Sequence, residues 1–208
     1  MNDDELYRAV RERFDERASD YDDSAMHRGL AVAVADFVDL AGVEAVLDVA
    51  TGTGLVLRTL ESRASAEGLR LTGIDISPGM LAVARLALPS AVLVEAPADR
   101  LPLDDDTIDL ITCVTGLHLF PHPQAAFAEW VRVLRPGGRV VTATFQESDP
   151  RQHGGDQRPA APALPRNHDA FRTPEALDSV ARPAGLTLRR HETWTHGQEA
   201  ILVAELTL

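Results

Sequence analysis

At 208 residues and 45% hydrophobic content, the chain can bury a full core and is expected to form one domain over 1–208. Its formal net charge of -12 argues against a nucleic-acid binder with a broad basic face, because phosphate contacts need clustered positive charge. All 20 basic residues are arginine, which excludes lysine Schiff-base chemistry.

The single cysteine, Cys113, cannot close an internal disulfide. The polar start MNDDELYR lacks the basic and apolar regions of a signal peptide, and no apolar run approaches the roughly 20 residues that span a bilayer. A soluble, cytoplasmic protein with no membrane and no nucleic-acid partner is expected.

In chain order, the first 41 residues read as a helical lid ahead of the first strand: Leu6, Val10 and Phe14 recur at helical spacing among charges. Strand-like runs then appear at 45–50, 69–75, 91–96, 108–114 and 138–145. Helical patterns lie between them, LVLRTLESRA after the glycines and two that open on Pro78 and Pro123 near a first turn. RPGG at 135–138 reads as a helix stop before the next strand. Residues 146–172, rich in Pro, Gly, Arg and His, read as a long loop near the active site. After TPEALDSVARPAGL, another helical pattern, two last strands separated by THGQ should pair antiparallel, since so short a turn cannot make a crossover. This alternation, free of internal repeats, predicts an α/β fold with a mostly parallel sheet and helices on both faces.

The stretch VLDVATGTG at 46–54 is the first βα turn, where ligands of open α/β sheets usually bind. Ala50, Thr51, Gly52, Thr53 and Gly54 would let a ligand approach the backbone. Asp75 ends the second strand, 21 residues after Gly54, where a carboxylate can accept from both hydroxyls of a ribose. The blander readings stay open: glycines that only permit a tight turn, and an Asp75 that only caps the helix near Pro78. Taken together, the two features indicate an adenosine-containing ligand. A dinucleotide fingerprint wants a third small residue where Leu57 stands, and Asp48 suits a positively charged ligand better than a diphosphate. S-adenosylmethionine, with an ammonium and a sulfonium, meets both conditions.

VLDVATGTG, GIDISPGML, LPLDDDTIDLI and VLRPGGRVV, in that order and spacing, resemble the class I S-adenosylmethionine-dependent methyltransferases, in particular their ubiquinone/menaquinone-biosynthesis-like branch. FDERASDYD at 14–22 resembles the segment ahead of the first motif of that branch. The resemblance implies a Rossmann-like, seven-stranded sheet with its last strand antiparallel. It further implies that the turn from Ala50 to Gly54 lies along the methionine part of the cofactor with Asp48 near its ammonium. Asp75 would hold the ribose, Ile76 and Met80 would pack on the adenine, and main chain around Cys113 and Val114 would meet the methionine end. Tyr21 would belong to the lid.

Two departures stand out. Ala50 replaces a first glycine, a small change in size. The family's Asp-Ala pair at the adenine becomes Pro97-Ala98, which leaves Asp99 to supply the adenine amino contact or to be a solvated loop acid.

His118, in GLHLFPHP after the fourth strand, is the first candidate for a general base, with a structural role in the turn before Pro121 as its alternative. His122 reads as a helix-entry residue, and no metal site is indicated by these spacings. The expected activity is methyl transfer from S-adenosylmethionine to O, N or C of a small-molecule acceptor. The alternatives are a nicotinamide-dependent oxidoreductase and a non-catalytic adenosine-ligand-binding protein.

Overall fold

The computed structural model describes residues 2–63, 68–147 and 167–208. Two helices come first. α1 (Asp3–Asp15) starts from a capping box in which Asn2 and Glu5 satisfy each other's backbone N–H, and α2 (Ala25–Phe37) is capped by Ser24. Alternating elements follow: β1 (Ala45–Val49), α3 (Leu55–Arg63), β2 (Arg70–Asp75), α4 (Pro78–Ala87), β3 (Val92–Glu95), β4 (Ile108–Val114), α5 (Pro123–Val133) and β5 (Leu134–Glu147). α6 (Pro174–Ala181), β6 (Thr187–His196) and β7 (Glu199–Thr207) complete the chain.

The strands form one seven-stranded sheet in the order β3-β2-β1-β4-β5-β7-β6. β1 to β5 pair in parallel, while β7 runs antiparallel to β5 and also to β6, the latter as the two-residue turn at Gly197 and Gln198 requires. The mostly parallel sheet expected from the alternation, and the seven-stranded Rossmann-like form that the resemblance implies, are therefore the ones observed.

Successive residues of the central strands serve opposite layers, because side chains alternate across a sheet. Leu47, Ile111, Val140 and Leu202 pack with Phe127 and Trp130 of α5 and with Leu177 of α6. Their neighbours Val46, Leu110, Val141 and Val203 pack with Leu30 and Val34 of α2 and with Leu57 and Leu60 of α3. Leu57 is thus a fully buried core residue, in a helix that sits on the sheet by apolar contact rather than by the close approach a glycine would allow. α2, within the segment read as a lid, supplies one of these two layers.

Two boundaries differ from the sequence reading. β5 begins at Leu134 and runs through RPGG. Its register with β4 jumps from Ile108–Leu134 to Leu110–Arg139, and Gly137 at φ +82 supplies the left-handed conformation that the irregularity needs. The predicted loop over 146–172 is shorter at its start only, since residues 167–172 stay outside helix and strand up to α6. Residues 146 and 147 extend β5, Phe171 is fully buried, and Thr144 Oγ1 donates to the Phe171 carbonyl at 2.8 Å. Residues 148–166 lie outside the described residues. Among those described, no helix is long and apolar enough to cross a membrane.

Candidate active site

The strand order reverses between β1 and β4, and the residues that follow these strands face each other there. After β1, Ala50, Gly52 and Gly54 all have positive φ, at +57, +55 and +79. After β4, Thr115 does too, at +55. Left-handed non-glycine residues cost about 1–3 kcal/mol each and gather at functional sites. The substitution at Ala50 is therefore not free on account of its size: the methyl stands in a conformation that favours glycine. Gly116 makes room for it, since a Cβ there would come within 2.8 Å of Ala50 Cβ.

A cleft of about 770 Å³, its open mouth included, lies over these turns. Ala50, Gly52, Asp75, Ile76, Met80, Ala98, Asp99 and Val114 line it, with Tyr21 at one side. Tyr21, Ala50, Gly52, Val114 and Thr115 also wall a second recess, which reaches Asp48, Thr51 and Thr53. The two spaces have these five lining residues in common, and one reaches Asp75 while the other reaches Asp48.

Both carboxylates are held by short bonds. Asp75 Oδ2 accepts from the Gly52 N–H at 2.8 Å and Oδ1 from the Ser77 N–H at 2.9 Å, which ties the β1 turn to the end of β2. The cap of α4 is Ser77, whose Oγ accepts from the Met80 N–H, so capping does not account for Asp75. Asp48 is 1% exposed and accepts from Thr112 Oγ1 at 2.6 Å. Burial pushes its pKa up to about 6, against the lowering effect of hydrogen bonds, and burial likewise raises that of Asp75.

The lid side is built from the N-terminal segment. Tyr7, Val10 and Phe14 of α1 line the cleft, and Tyr7 Oη donates to Asp99 Oδ2 at 3.1 Å. Asp15 Oδ1 accepts from Ser77 Oγ at 2.6 Å and from the Gly79 N–H at 2.8 Å, which fixes the end of α1 to the start of α4. Tyr21 stacks on His27 at a centroid distance of 4.3 Å, and Asp22 beside it accepts from Thr53 Oγ1 at 2.5 Å.

Gly54, Cys113 and His118 are not among the residues that line the two spaces, although at Cys113 the expectation concerned main chain and not the side chain. Gly54 packs into the protein: a Cβ on it would meet Leu88 Cδ1 at 2.7 Å. The Cys113 side chain is fully buried in the core, and burial raises its thiol pKa. His118 lines neither space. It is 6% exposed, stacks on His168 at 4.3 Å and meets the edge of Phe145, and its carbonyl accepts from the Asn167 N–H. The expected base thus packs beneath the cleft, in the short 3₁₀ turn Leu117–Leu119 that turns its ring inward.

Residues missed in the sequence include Tyr7, Thr115, Phe120 and His122, all of which line the cleft. His122 Nε2 lies 2.7 Å from Asp3 Oδ2, and that carboxylate raises its pKa. The position of Thr115 and Gly116 directly after β4 was the one available signal for this group. No cluster of three metal-ligating side chains occurs among the described residues.

Residues 47–142 match the family model described as a methyltransferase domain. The chain is 34% identical over 193 residues to a demethylmenaquinone methyltransferase of Thermus thermophilus, covering 81% of this chain and 86% of that protein. It belongs to the class I S-adenosylmethionine-dependent methyltransferases, in their ubiquinone/menaquinone-biosynthesis-like branch. A demethylmenaquinone methyltransferase of Clavibacter sepedonicus is 35% identical over 131 residues, 62% of this chain and about half (47%) of its own length. The same fold recurs, at 21% identity and a TM-score of 0.75, in a chain from the complex between the Haloferax volcanii Trm112 methyltransferase activator and a methyltransferase. The match covers 95% of this chain and 96% of that one.

The cleft of this methyltransferase suits S-adenosylmethionine on two counts. Asp48 is a buried carboxylate with no cation within ion-pairing distance among the described residues, so a ligand ammonium would offset the cost of its ionisation. Asp99 Oδ1 is buried and accepts no hydrogen bond there, so it suits a donor on a bound base.

Proposed function

We propose that this methyltransferase transfers the methyl group to O, N or C of a small, mainly apolar acceptor, and that the two adjoining spaces together hold the cofactor along the β1 turn. What supports the reading is the pair of carboxylates, Asp75 beside Gly52 in one space and Asp48 in the adjoining one, with the β1 turn lining both. Asp75 accepts from the ribose hydroxyls, Ile76 and Met80 pack on the adenine with Ala98 and Asp99 at its edge, and Asp48 faces the ammonium. Ala50, Thr51, Gly52 and the main chain at Val114 lie along the methionine part, and Tyr21 closes the lid side. The bound cofactor supplies an activated methyl on a sulfonium, whose positive charge is lost as the carbon–sulfur bond breaks.

The protein's own contribution is orientation and exclusion of water. Holding an acceptor atom in line with the breaking bond can supply several kcal/mol of the barrier without any acid or base. Val10, Phe14, Leu119 and Phe120 give the cleft apolar walls that favour such an acceptor over a highly charged one. His118 has no part in this proposal, because its ring is packed away from both spaces.

The names of the two relatives make a reduced naphthoquinone lacking one ring methyl the first acceptor to assay, beside phenols and amines of similar size. Transfer of labelled methyl to one of these, abolished by Asp48→Asn, supports the proposal. Tight binding of the cofactor with no transfer to any of them would favour the non-catalytic alternative.

A further inference from the structure

The orphaned oxygen of Asp99 and the bond to its partner oxygen belong together. Asp99 follows β3 on the wall of the cleft. Oδ2 accepts from Tyr7 Oη at 3.1 Å, whereas Oδ1 is buried without a hydrogen bond among the described residues. A buried acceptor left unpaired carries a desolvation cost that a ligand donor would recover. A carboxylate can only accept, so what it selects must donate.

Tyr7 reaches Asp99 from α1, and α1 is itself fastened to the other end of the cleft. Arg11 Nε donates to the Ile76 carbonyl at 2.9 Å, and Asp15 accepts from Ser77 and Gly79. A Cβ on Gly79 would lie 2.8 Å from Asp15 Oδ1 and 3.1 Å from Asp15 Cα, so backbone and side chain meet closely there. Near its start, α1 meets His122 through Asp3 at 2.7 Å. The helix thus spans from the residues just after Asp75 to the acid beyond Ala98, the two sides between which an adenine would lie. The phenol is a dependable donor, because burial and the charge of Asp99 both push its pKa up.

We propose that Tyr7 is the positioning residue for purine selection: its phenol takes one oxygen of Asp99 and turns the other toward the exocyclic amine of the cofactor's adenine. This rests on the cofactor placement proposed above. It makes the choice of a 6-amino over a 6-oxo purine depend on the closed α1, because only with Tyr7 in place is the carboxylate aimed. A 6-oxo purine would set its carbonyl oxygen against that carboxylate, acceptor against acceptor.

The test is calorimetric titration of the full chain and its variants with S-adenosylhomocysteine and with its deaminated counterpart, S-inosylhomocysteine. The unmodified protein should prefer the amino compound by at least roughly tenfold, the worth of one charge-assisted hydrogen bond. Tyr7→Phe, which deletes one oxygen and keeps the ring, should weaken the amino compound about tenfold and move the deaminated one less than about threefold. Tyr7→Leu should lose the preference to the same degree, and Asp99→Ala should abolish it.

An equal loss for both compounds in the two Tyr7 variants would mean that Tyr7 only packs the lid, and would overturn the inference. An unchanged preference in Tyr7→Phe would overturn it as well. If the unmodified protein binds neither compound, the cofactor placement itself fails. If it binds both equally, that placement stands and the selection by Asp99 falls.

Discussion

Asp48 and Thr112 stand opposite each other on the adjacent parallel strands β1 and β4, and Thr112 Oγ1 donates to Asp48 Oδ1 at 2.6 Å. That bond is too little to make ionisation of a carboxylate easy at 1% exposure, and the pKa stands at about 6 against an ordinary 3.8. The folded state therefore holds the proton more tightly than the unfolded chain. The fold is favoured below about pH 4 and loses up to about 3 kcal/mol as pH rises through 6. Asp48→Asn keeps the shape and the bond from Thr112 but removes the charge. The variant should melt higher than the parent at pH 7.5 without ligand and bind S-adenosylhomocysteine at least about tenfold more weakly. Thermal melts with and without the ligand check both effects.

The same carboxylate sets the pH dependence of binding. A ligand ammonium favours ionised Asp48, so binding below pH 6 must displace a proton. Affinity for S-adenosylhomocysteine should be level above pH 7 and fall by up to about tenfold per unit below 6. In Asp48→Asn the slope should vanish. A slope that survives this substitution would assign the titration to another group.

Asp75 joins two backbone N–H groups, those of Gly52 and Ser77, while facing the cleft. Asp75→Ala would leave both donors without their acceptor and remove the proposed ribose contacts. We expect at least a tenfold loss of cofactor affinity, since hydrogen bonds to a charged group are worth roughly 1.5–3 kcal/mol each, with a lowered melting temperature. Asp75→Asn, which can still accept from one of the two, should lose affinity with less effect on melting. Calorimetry and melting of the two variants separate the ligand role from the backbone one.

Part of this was legible in the sequence because features with several readings apart, such as Gly52 and Asp75, narrow to one when their spacing is taken together. The runs at 45–50 and 108–114 are apolar on both faces, as parallel strands covered on both sides must be, and they became β1 and β4. Gly52, Asp75, Ile76, Met80 and Asp99 likewise fall on one cleft. His118 was misplaced because its position after a strand says nothing about which way a 3₁₀ turn will point the ring. Tyr7 was missed because it is one of several polar residues on an amphipathic helix, and its partner, Asp99, lies 92 residues away. Such contacts depend on how α1 docks, which hydrophobic periodicity alone does not specify.

The turns after β1 and β4 are fitted to each other through Ala50 and Gly116. Adding a methyl in Gly116→Ala would bring two Cβ atoms to 2.8 Å and place a second neighbour, Cys113 Sγ, at 3.2 Å. Because the Ala50 Cβ has no rotamer by which to move away, overpacking of this kind costs about 1–3 kcal/mol. The variant should be destabilised by that amount and lose cofactor affinity, because the β1 turn must shift. Ala50→Gly, which relieves the φ of +57, should instead be neutral or stabilising by up to about 1 kcal/mol. Chemical denaturation of the two variants checks the contrast.

Calorimetric titration of the unmodified protein with S-adenosylhomocysteine, and separately with NAD, bears most directly on the cofactor cleft. One S-adenosylhomocysteine should bind per chain, with affinity lost in Asp48→Asn and in Asp75→Ala, and NAD should give no heat of binding. Tight binding of NAD, with no response to S-adenosylhomocysteine, would contradict the account.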